Sequence, residues 1–481
     1  MSLDRIASTA PKSLEEAVDL IGELVDLVRD QQARIDSLEQ AAAEAGKSSR
    51  NSHKAPSTDS DAQRKKRKKK TPSKRAQGAQ PGHEKHEREL LDEAELDAVH
   101  DHLPGATCAC GGHVELDGAP FRHQVFDVPP IRPVVVEHRV HTGCCRRCAR
   151  RHRGALPPGV PSGQMGPGLV ALIATLSGQY HLSTRKIRRL LAEVLGVEFS
   201  LGAVSEAQGR AIDAMAGPYL DIGRHVRDQR VVHADETRHF RGEQLFWMWV
   251  LACPDAAWFV AHASRGKHAA DQLLGDTDAV VVTDDYVGYD HVPIHRRQLC
   301  WAHLLRHFVA VSERVGNAGR VGAELVAVAE ALFALRREQV AGSIDTTLWL
   351  ARSEQLRARC RAALTRGARL RIDGRTRTQC RRWLEREAMF WTHLADPAIP
   401  IDNNAAERAL RSYVIWRKLS YAVQSHRGNQ FRPMVLSIVA TAERLGRNAY
   451  EYLRTVLTEH AEAGTVSTLL PKAAPALPAH G

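Results

Sequence analysis

The chain has 481 residues, with 67 Lys and Arg against 56 Asp and Glu, a formal net charge of +11 with histidines neutral. Apolar residues make up 43% and charged residues 26%, a globular balance that excludes wholesale disorder. No apolar run reaches the roughly 18 residues of a membrane helix, and the first residues lack the basic-then-apolar layout of a secretory leader. Nine cysteines are no disulfide framework. Five of them fall between 108 and 148, a pattern of metal binding in a reducing cytosol. At ~100–200 residues per domain, the length predicts about three domains.

In chain order, residues 14–42 carry a heptad. Leu14, Ile21, Val28, Ile35 and Ala42 fill one seam position, and Ala17, Leu24, Gln31 and Leu38 fill the other. Such 3-4 spacing is a coiled-coil seam, with Gln31 placed to set register. The plainer alternative is one amphipathic helix docked on the chain's own body. We read 1–46 as a coiled coil and 47–86 as a disordered linker without hydrophobic period. Residues 64–75, RKKRKKKTPSKR, hold nine Lys or Arg and no acid. Such a tract is a solubilising linker or a binder of phosphate backbones through counterion release.

Residues 87–160 form a small cysteine-bearing module with the pairs Cys108-Ala-Cys110 and Cys145-Arg-Arg-Cys148. Glycines after Cys110 let backbone amides turn toward the sulfurs. The runs FRHQVFDVP and RPVVVEHRVH read as strands between the pairs. Two knuckles clamping one tetrahedral structural Zn2+ fit this pattern. Reduced cysteines in a small β-domain are the alternative, and Cys144 and His113 are spare ligands.

Residues 161–224 read as three helices: GLVALIATLSGQY, STRKIRRLLAEVLG with Ser183 as N-cap and Gly196 as its stop, and LGAVSEAQGRAIDAM capped by Ser200. Helix, Gly-bearing turn and helix is a helix-turn-helix pattern that any three-helix bundle also gives. The second helix carries Arg185, Lys186, Arg188 and Arg189 as candidate DNA contacts.

From 229 the period changes. QRVVHADET, LFWMWVLA and AAWFVAHA are strands, KHAADQLLG a helix, and AVVVTDD and RRQLC two further strands, which predicts an α/β sheet. Residues 302–400 are almost purely helical, 401–463 return to helix, and the tail 464–481 reads as flexible. Asp235 ends the first strand and Asp284 the fourth. On neighbouring strands both carboxylates project from one edge, where they repel unless hard cations sit between them. Oxygen-only ligands favour Mg2+ or Mn2+. Glu407 in IDNNAAERALR, on a helix capped by Asp402 or Asn403, is the expected third acid. Each acid alone reads as a turn or cap residue; their joint setting points to function.

Several blocks together resemble the transposases of the insertion-sequence-66 family. RNSHKAPSTDS and GAQPGHEKH are similar to that family's N-terminal elements, although Glu84 replaces a glycine. CACGG and CRRC resemble its zinc knuckles, and CWAHLLRHF another of its blocks. HADET, TDDYVGY and IDNNAAERALRSYVIWRK resemble the blocks that carry its three catalytic acids. The resemblance covers 50–150 and 225–435.

It implies a multidomain α/β protein with a ribonuclease-H-like core, 225–301 and 401–463, interrupted by an all-α insertion at 302–400. The coiled coil, the zinc-binding module and the helix-turn-helix-like region precede it. Asp284 and Glu407 stand 123 residues apart, as an insertion requires. The acids are then Asp235, Asp284 and Glu407, with Asp285 where glycine is usual, a one-residue ambiguity. Cys300 and His303 form a C-x-x-H element, either half a zinc site or a device that positions the insertion or the DNA end.

The implied chemistry is DNA end cleavage and strand transfer with two Mg2+ ions about 3.5–4 Å apart. Arg408, Arg411, Arg417 and Lys418 are placed to hold phosphates or simply form a solvated basic face. Expected partners are double-stranded DNA, a second copy of the chain and accessory proteins of the same element, in a nucleoid-associated cytoplasmic setting away from membranes. Two other readings remain: a catalytically inactive DNA-binding derivative, and a nuclease that cuts without joining.

Overall fold

The computed structural model describes residues 13–14, 17–18, 20–22, 24–31, 34, 47–51, 59, 88–161, 163–463 and 466–470. The described positions between 14 and 34 are helical. Seam residues Leu14, Ile21 and Val28 are exposed, so these side chains are not docked on the body of the chain. Ile35, Leu38, Ala42 and the basic tract 64–75 lie outside the described residues.

The cysteine module has one short antiparallel pair, β1 (Thr142–Cys144) with β2 (Arg151–Arg153), around the CRRC turn. The strands expected at 121–129 and 132–141 are absent. Alternation favours a strand only where a partner and a covering layer exist. Here Phe121 and Val134 are over 90% exposed, with neither.

Three helices follow: α1 (Pro167–Gly178), α2 (Thr184–Leu195) and α3 (Leu201–Arg227). Ser183 caps α2 by accepting from the Lys186 amide, and Gly196 ends it in the left-handed region, at φ 66°. Helices favour glycine there because it carries no Cβ. Ser200 caps α3 in the same way. α3 runs twelve residues past the expected Met215, so the boundary expected at 224 falls inside a helix. Its later turns bury Pro218, Ile222 and Val226 against the sheet, and that packing outweighs the proline. α1 is apolar nearly all round, as a buried helix is. A Cβ at Gly178 would overlap Val435, so α1 needs glycine where it meets the helix carrying that valine.

The sheet comprises β3 (Val231–Arg241), β4 (Gln244–Ala252), β5 (Ala257–His262), β6 (Val280–Thr283) and β7 (Arg297–Leu299), ordered β5-β4-β3-β6-β7. The first three are antiparallel, and β3, β6 and β7 run parallel. The helix α4 (Lys267–Leu274) carries the chain from β5 across to β6. β3 is central, which is why its middle is buried on both sides.

After β7 come α5 (Trp301–Ser312), α6 (Gly316–Val340), α7 (Thr346–Ala368), α8 (Gly374–Glu385) and the short α9 (Glu387–Phe390). They enclose a core of their own around Trp301, Phe308, Trp349, Trp383 and Phe390. The chain leaves and rejoins the sheet at one point, since the Trp301 amide donates to the Ile401 carbonyl (2.8 Å). Then α10 (Asn404–Leu419) packs on β3 and β4, α11 (His426–Arg444) on β5, and α12 (Ala449–Ala463) on α1. These helices share the sheet's core with α1–α3. The tail expected to be loose is partly packed: Leu469 and Leu470 are buried, and Arg447 donates to the Leu469 carbonyl (2.7 Å). Among the described residues, no helix is long and apolar enough to cross a membrane.

Candidate active site

Asp235 lies in the middle of β3 rather than at its end, opposite Val250 of β4. The parallel ladder pairs His233 with Val282 of β6. Continued by two residues, that register sets Asp284, just past the strand, beside Asp235. The third acid arrives from above on the first turn of α10, which carries Glu407.

The electrostatics of the three are shared. Burial, then the carboxylates of Glu236, Asp284 and Glu407, push the Asp235 carboxyl well above the usual range. Only the Glu236 amide, which donates to it (2.8 Å), pulls the other way. Burial also raises Glu407. Arg306 pulls it back, while Asp402 and Asp284 push it up again. Glu407 Oε1 is buried and accepts no hydrogen bond.

The neighbouring acids have different work. Asp285 pairs with Arg386 (2.8 Å) and Arg382 (3.3 Å) from the helical block. Asp290 pairs with Arg386 and with Arg297. Arg297 on β7 is fully buried. It donates to Thr283 Oγ1 (3.0 Å), the Asp284 carbonyl (3.1 Å), the Tyr286 carbonyl (2.9 Å) and Asp290 (2.7 Å). One guanidinium therefore shapes the loop that carries Asp284, and the helical block holds the loop from outside.

Cys300 and His303 open α5 close to Glu407. The donor atoms of Cys300, His303 and Glu407 all lie within 4.8 Å of one another, and His303 Nδ1 is 3.6 Å from Glu407 Oε1. The Cys300 amide donates to the Thr283 carbonyl (2.8 Å), and its sulfur accepts from the Asn403 amide (3.2 Å). The C-x-x-H element thus touches the ends of β6 and α10 at once. Asn403 is the N-cap residue, but its side chain does not cap. It reaches His233 and Ala234 on β3 instead.

Glu236 escapes the sequence reading. It is buried, pairs with Arg265 (2.8 Å) and accepts from Tyr289 Oη (2.8 Å). Burial and Asp284 raise its carboxyl against Arg265. Arg265 also lies over the rings of Tyr286 and Trp247, 4.0 and 4.8 Å from their centroids. The signal was the second acid of HADET, because a charge inside a central strand must be paired.

The remaining candidates lie apart from this cleft. In each cysteine knuckle, backbone amides aim at the first sulfur and hold its thiol below the ordinary range. They come from Cys110 for Cys108, and from Cys148 and Arg147 for Cys145. Among the described residues, Cys108, Cys110, Cys145 and Cys148 do not form one ligand cluster; the groups that do are Cys300/His303/Glu407 and His225/Cys253/Asp255. Arg185, Lys186, Arg188 and Arg189 are exposed on α2, opposite its buried Ile187 and Leu191, with Arg189 paired to Glu193 (2.6 Å). Arg408, Arg411 and Lys418 are exposed on α10. Arg417 is committed to β3, donating to Thr237 Oγ1 (3.2 Å) and the Arg238 carbonyl.

Two uncharacterized proteins of Sinorhizobium fredii (strain NBRC 101917 / NGR234) are similar along most of their length. One, y4jD, is 24% identical over 400 residues, 76% of this chain and 77% of its own. The other, y4hP, is 25% identical over 406 residues, 75% of this chain and 71% of its own. Residues 7–89 match a family of unknown function (DUF6444). Residues 162–431 match the transposase IS66 family. That match spans more than half of the chain, from α1 through both cores and past Asp235, Asp284 and Glu407 into α11, and the chain accordingly belongs to the IS66 family of transposases.

Proposed function

We propose that the chain is a DDE transposase that cleaves DNA at the ends of its element and joins the freed 3′-hydroxyls to target DNA. One observation carries the reading: Asp235 on β3, Asp284 just past β6 and Glu407 on the first turn of α10 lie near enough for the carboxylates of Asp284 and Glu407 to raise Asp235 and for Asp284 to raise Glu407. The strand order, three antiparallel strands followed by two parallel ones across a helix, supports a ribonuclease-H-like core. The second hydrophobic core, closed at Trp301 and Ile401, supports a helical insertion.

The donor set fits a pair of hard divalent cations, Mg2+ or Mn2+. It offers only oxygens, they repel one another, and Glu407 Oε1 has no hydrogen bond. When bound, such ions supply the positive charge that an in-line phosphodiester displacement needs. The residues of the chain do the positioning. Asp235 and Asp284 form a rigid floor on adjacent strands, and Glu407 closes it from the helix. Arg408 and Arg411 stand on the solvent side of the same helix, where phosphates of the bound strand would run. The basic face of α2 reads DNA beyond the cleft, and the 14–42 seam holds two copies, and so two DNA ends, together. Accessory proteins belong to the same proposal.

The test combines purified protein, Mg2+ and labelled DNA carrying the element's ends, beside the Glu407→Gln variant. Metal-dependent nicks and joined products from the wild type alone are expected. Sequence-specific binding without cutting by either protein, with accessory proteins present, would overturn catalysis in favour of a DNA-binding derivative. Nicks without joined products would indicate a nuclease.

A further inference from the structure

The last turn of α3 brings His225 against the tight turn between β4 and β5, which holds Cys253, Pro254, Asp255 and Ala256. The Cys253 amide donates to the Ala256 carbonyl (2.9 Å), closing that turn. His225 Nε2 lies 2.9 Å from one oxygen of Asp255, and Cys253 Sγ lies 3.0 Å from the other. The three donor atoms fall within 4.8 Å of one another. Cys253 is buried, whereas His225 and Asp255 keep about a quarter and a third of their side chains open to water.

We propose that His225, Cys253 and Asp255 form a binding site for one zinc-type divalent transition-metal ion, with a water as the fourth ligand. A thiolate, an imidazole and a carboxylate make a borderline-soft set that suits zinc rather than Mg2+. Ligands at about 2.0–2.3 Å from a tetrahedral ion stand roughly 3.5 Å apart, so the three atoms need only small shifts. Coordination replaces the two contacts to Asp255, and the thiol proton leaves to solvent. Thiolate and carboxylate together carry two negative charges, which a divalent ion balances.

Solvent reaches the site from the side of His225 and Asp255, which leaves a coordination position for water. The site sits where β3 begins, at the opposite end of the β3–β6 ladder from Asp284. Its ligands come from α3 and from the β4–β5 turn, so a bound ion staples the helical region before the sheet to the sheet itself. Its role is therefore structural, separate from the carboxylate cleft.

The full-length protein is stripped with chelator, reloaded with Zn2+ or Co2+ and dialysed, and bound metal is counted per chain. Any ion held by the cysteine module is common to all proteins compared. The wild type is expected to retain one equivalent more than Cys253→Ser and one more than His225→Gln. Its cobalt form is expected to lose part of its thiolate-to-metal charge-transfer absorption in Cys253→Ser. Should Cys253→Ser fail to fold, His225→Gln, on a partly exposed ring, gives the same count. Equal metal content in wild type and folded His225→Gln would overturn the proposal and leave the triad a hydrogen-bonded staple.

Discussion

The side-chain amide of Asn403 donates to the carbonyl oxygen of Ala234 (2.9 Å), one residue before Asp235. The Asn403 oxygen meets His233 Nδ1 (3.1 Å) on the same strand. Glu407 sits one helical turn beyond Asn403, so this amide ties the start of the helix that carries Glu407 to the strand that carries Asp235. Asn403→Ala leaves buried groups of β3 unpaired, at a cost of about 1–3 kcal/mol. We expect a lower urea midpoint and a cleavage rate reduced more than tenfold, with DNA affinity within a factor of two or so of wild type. Unchanged cleavage would show that α10 is positioned by its other contacts.

The shared repulsion of the acids has a sign that stability measurements can read. Asp235 binds its proton more tightly folded than unfolded, so its ionised form destabilises the folded chain at neutral pH without metal. Asp235→Asn removes that charge. In chelator at pH 7 we expect its melting temperature to exceed that of the wild type, while cleavage and joining disappear. Added Mg2+ should then stabilise the wild type more than the variant, because the variant has lost a ligand. A variant less stable than wild type in chelator would contradict the shared-repulsion account.

Asp284 and Asp285 separate by the same logic. Asp285 is spent on Arg386 and Arg382, and Asp284 acts on Asp235, Glu236 and Glu407. Asp284→Asn is expected to abolish cleavage with little loss of stability. Asp285→Asn is expected to lower stability by about 1–3 kcal/mol and to retain measurable cleavage. The reverse pattern would move the second acid by one residue.

That pair also shows what was legible in the sequence. The strands from 231 to 299 announce themselves by apolar runs ending at turn residues, and α2 by Ser183 and Gly196, because these signals are local. The acids on β6 and α10 were legible from the blocks around them. The partner of Asp285 is a hundred residues away on another element, and no local pattern encodes it. For the same reason Asn403 reads as a cap and turns out to be a tie to β3, and Glu236 reads as an ordinary neighbour of Asp235. The strands expected at 121–141 fail the other way, since alternation is visible locally but the partner that makes a strand is not.

His239 gives a pH dependence that a single substitution can isolate. It is buried on β3 between Tyr413 of α10, whose hydroxyl meets Nδ1, and Asn429 of α11, whose oxygen accepts from Nε2–H (2.7 Å). Burial favours the neutral ring and lowers its pKa to about 4, with the Asn429 hydrogen bond opposing. The folded value lies below the unfolded one of about 6.5. Its stabilisation is therefore present above that value and is lost as pH falls toward about 4. We expect the urea midpoint of the wild type to fall across this window, and that of His239→Gln to fall less steeply from a lower start. Equal slopes would assign the acid sensitivity to other groups.

Arg297 offers the sharpest contrast between charge and shape. Its guanidinium, fully buried, makes four donations that hold the Thr283–Asp290 segment in its present course. Lysine keeps the charge but cannot present a planar fork to these four backbone and side-chain acceptors at once. Methionine keeps the stem, removes the charge and leaves Asp290 with only Arg386. Asp290 keeps 38% of its side chain open to water, so the larger loss is that of the buried acceptors on the loop, at about 1–3 kcal/mol. We therefore expect both variants to unfold at lower denaturant. Because Asp284 rides on the same loop, both should also lose most cleavage under conditions where circular dichroism shows them folded. Wild-type cleavage in folded Arg297→Lys would show that charge alone suffices, and that the course of the loop is set by its contacts to the helical block.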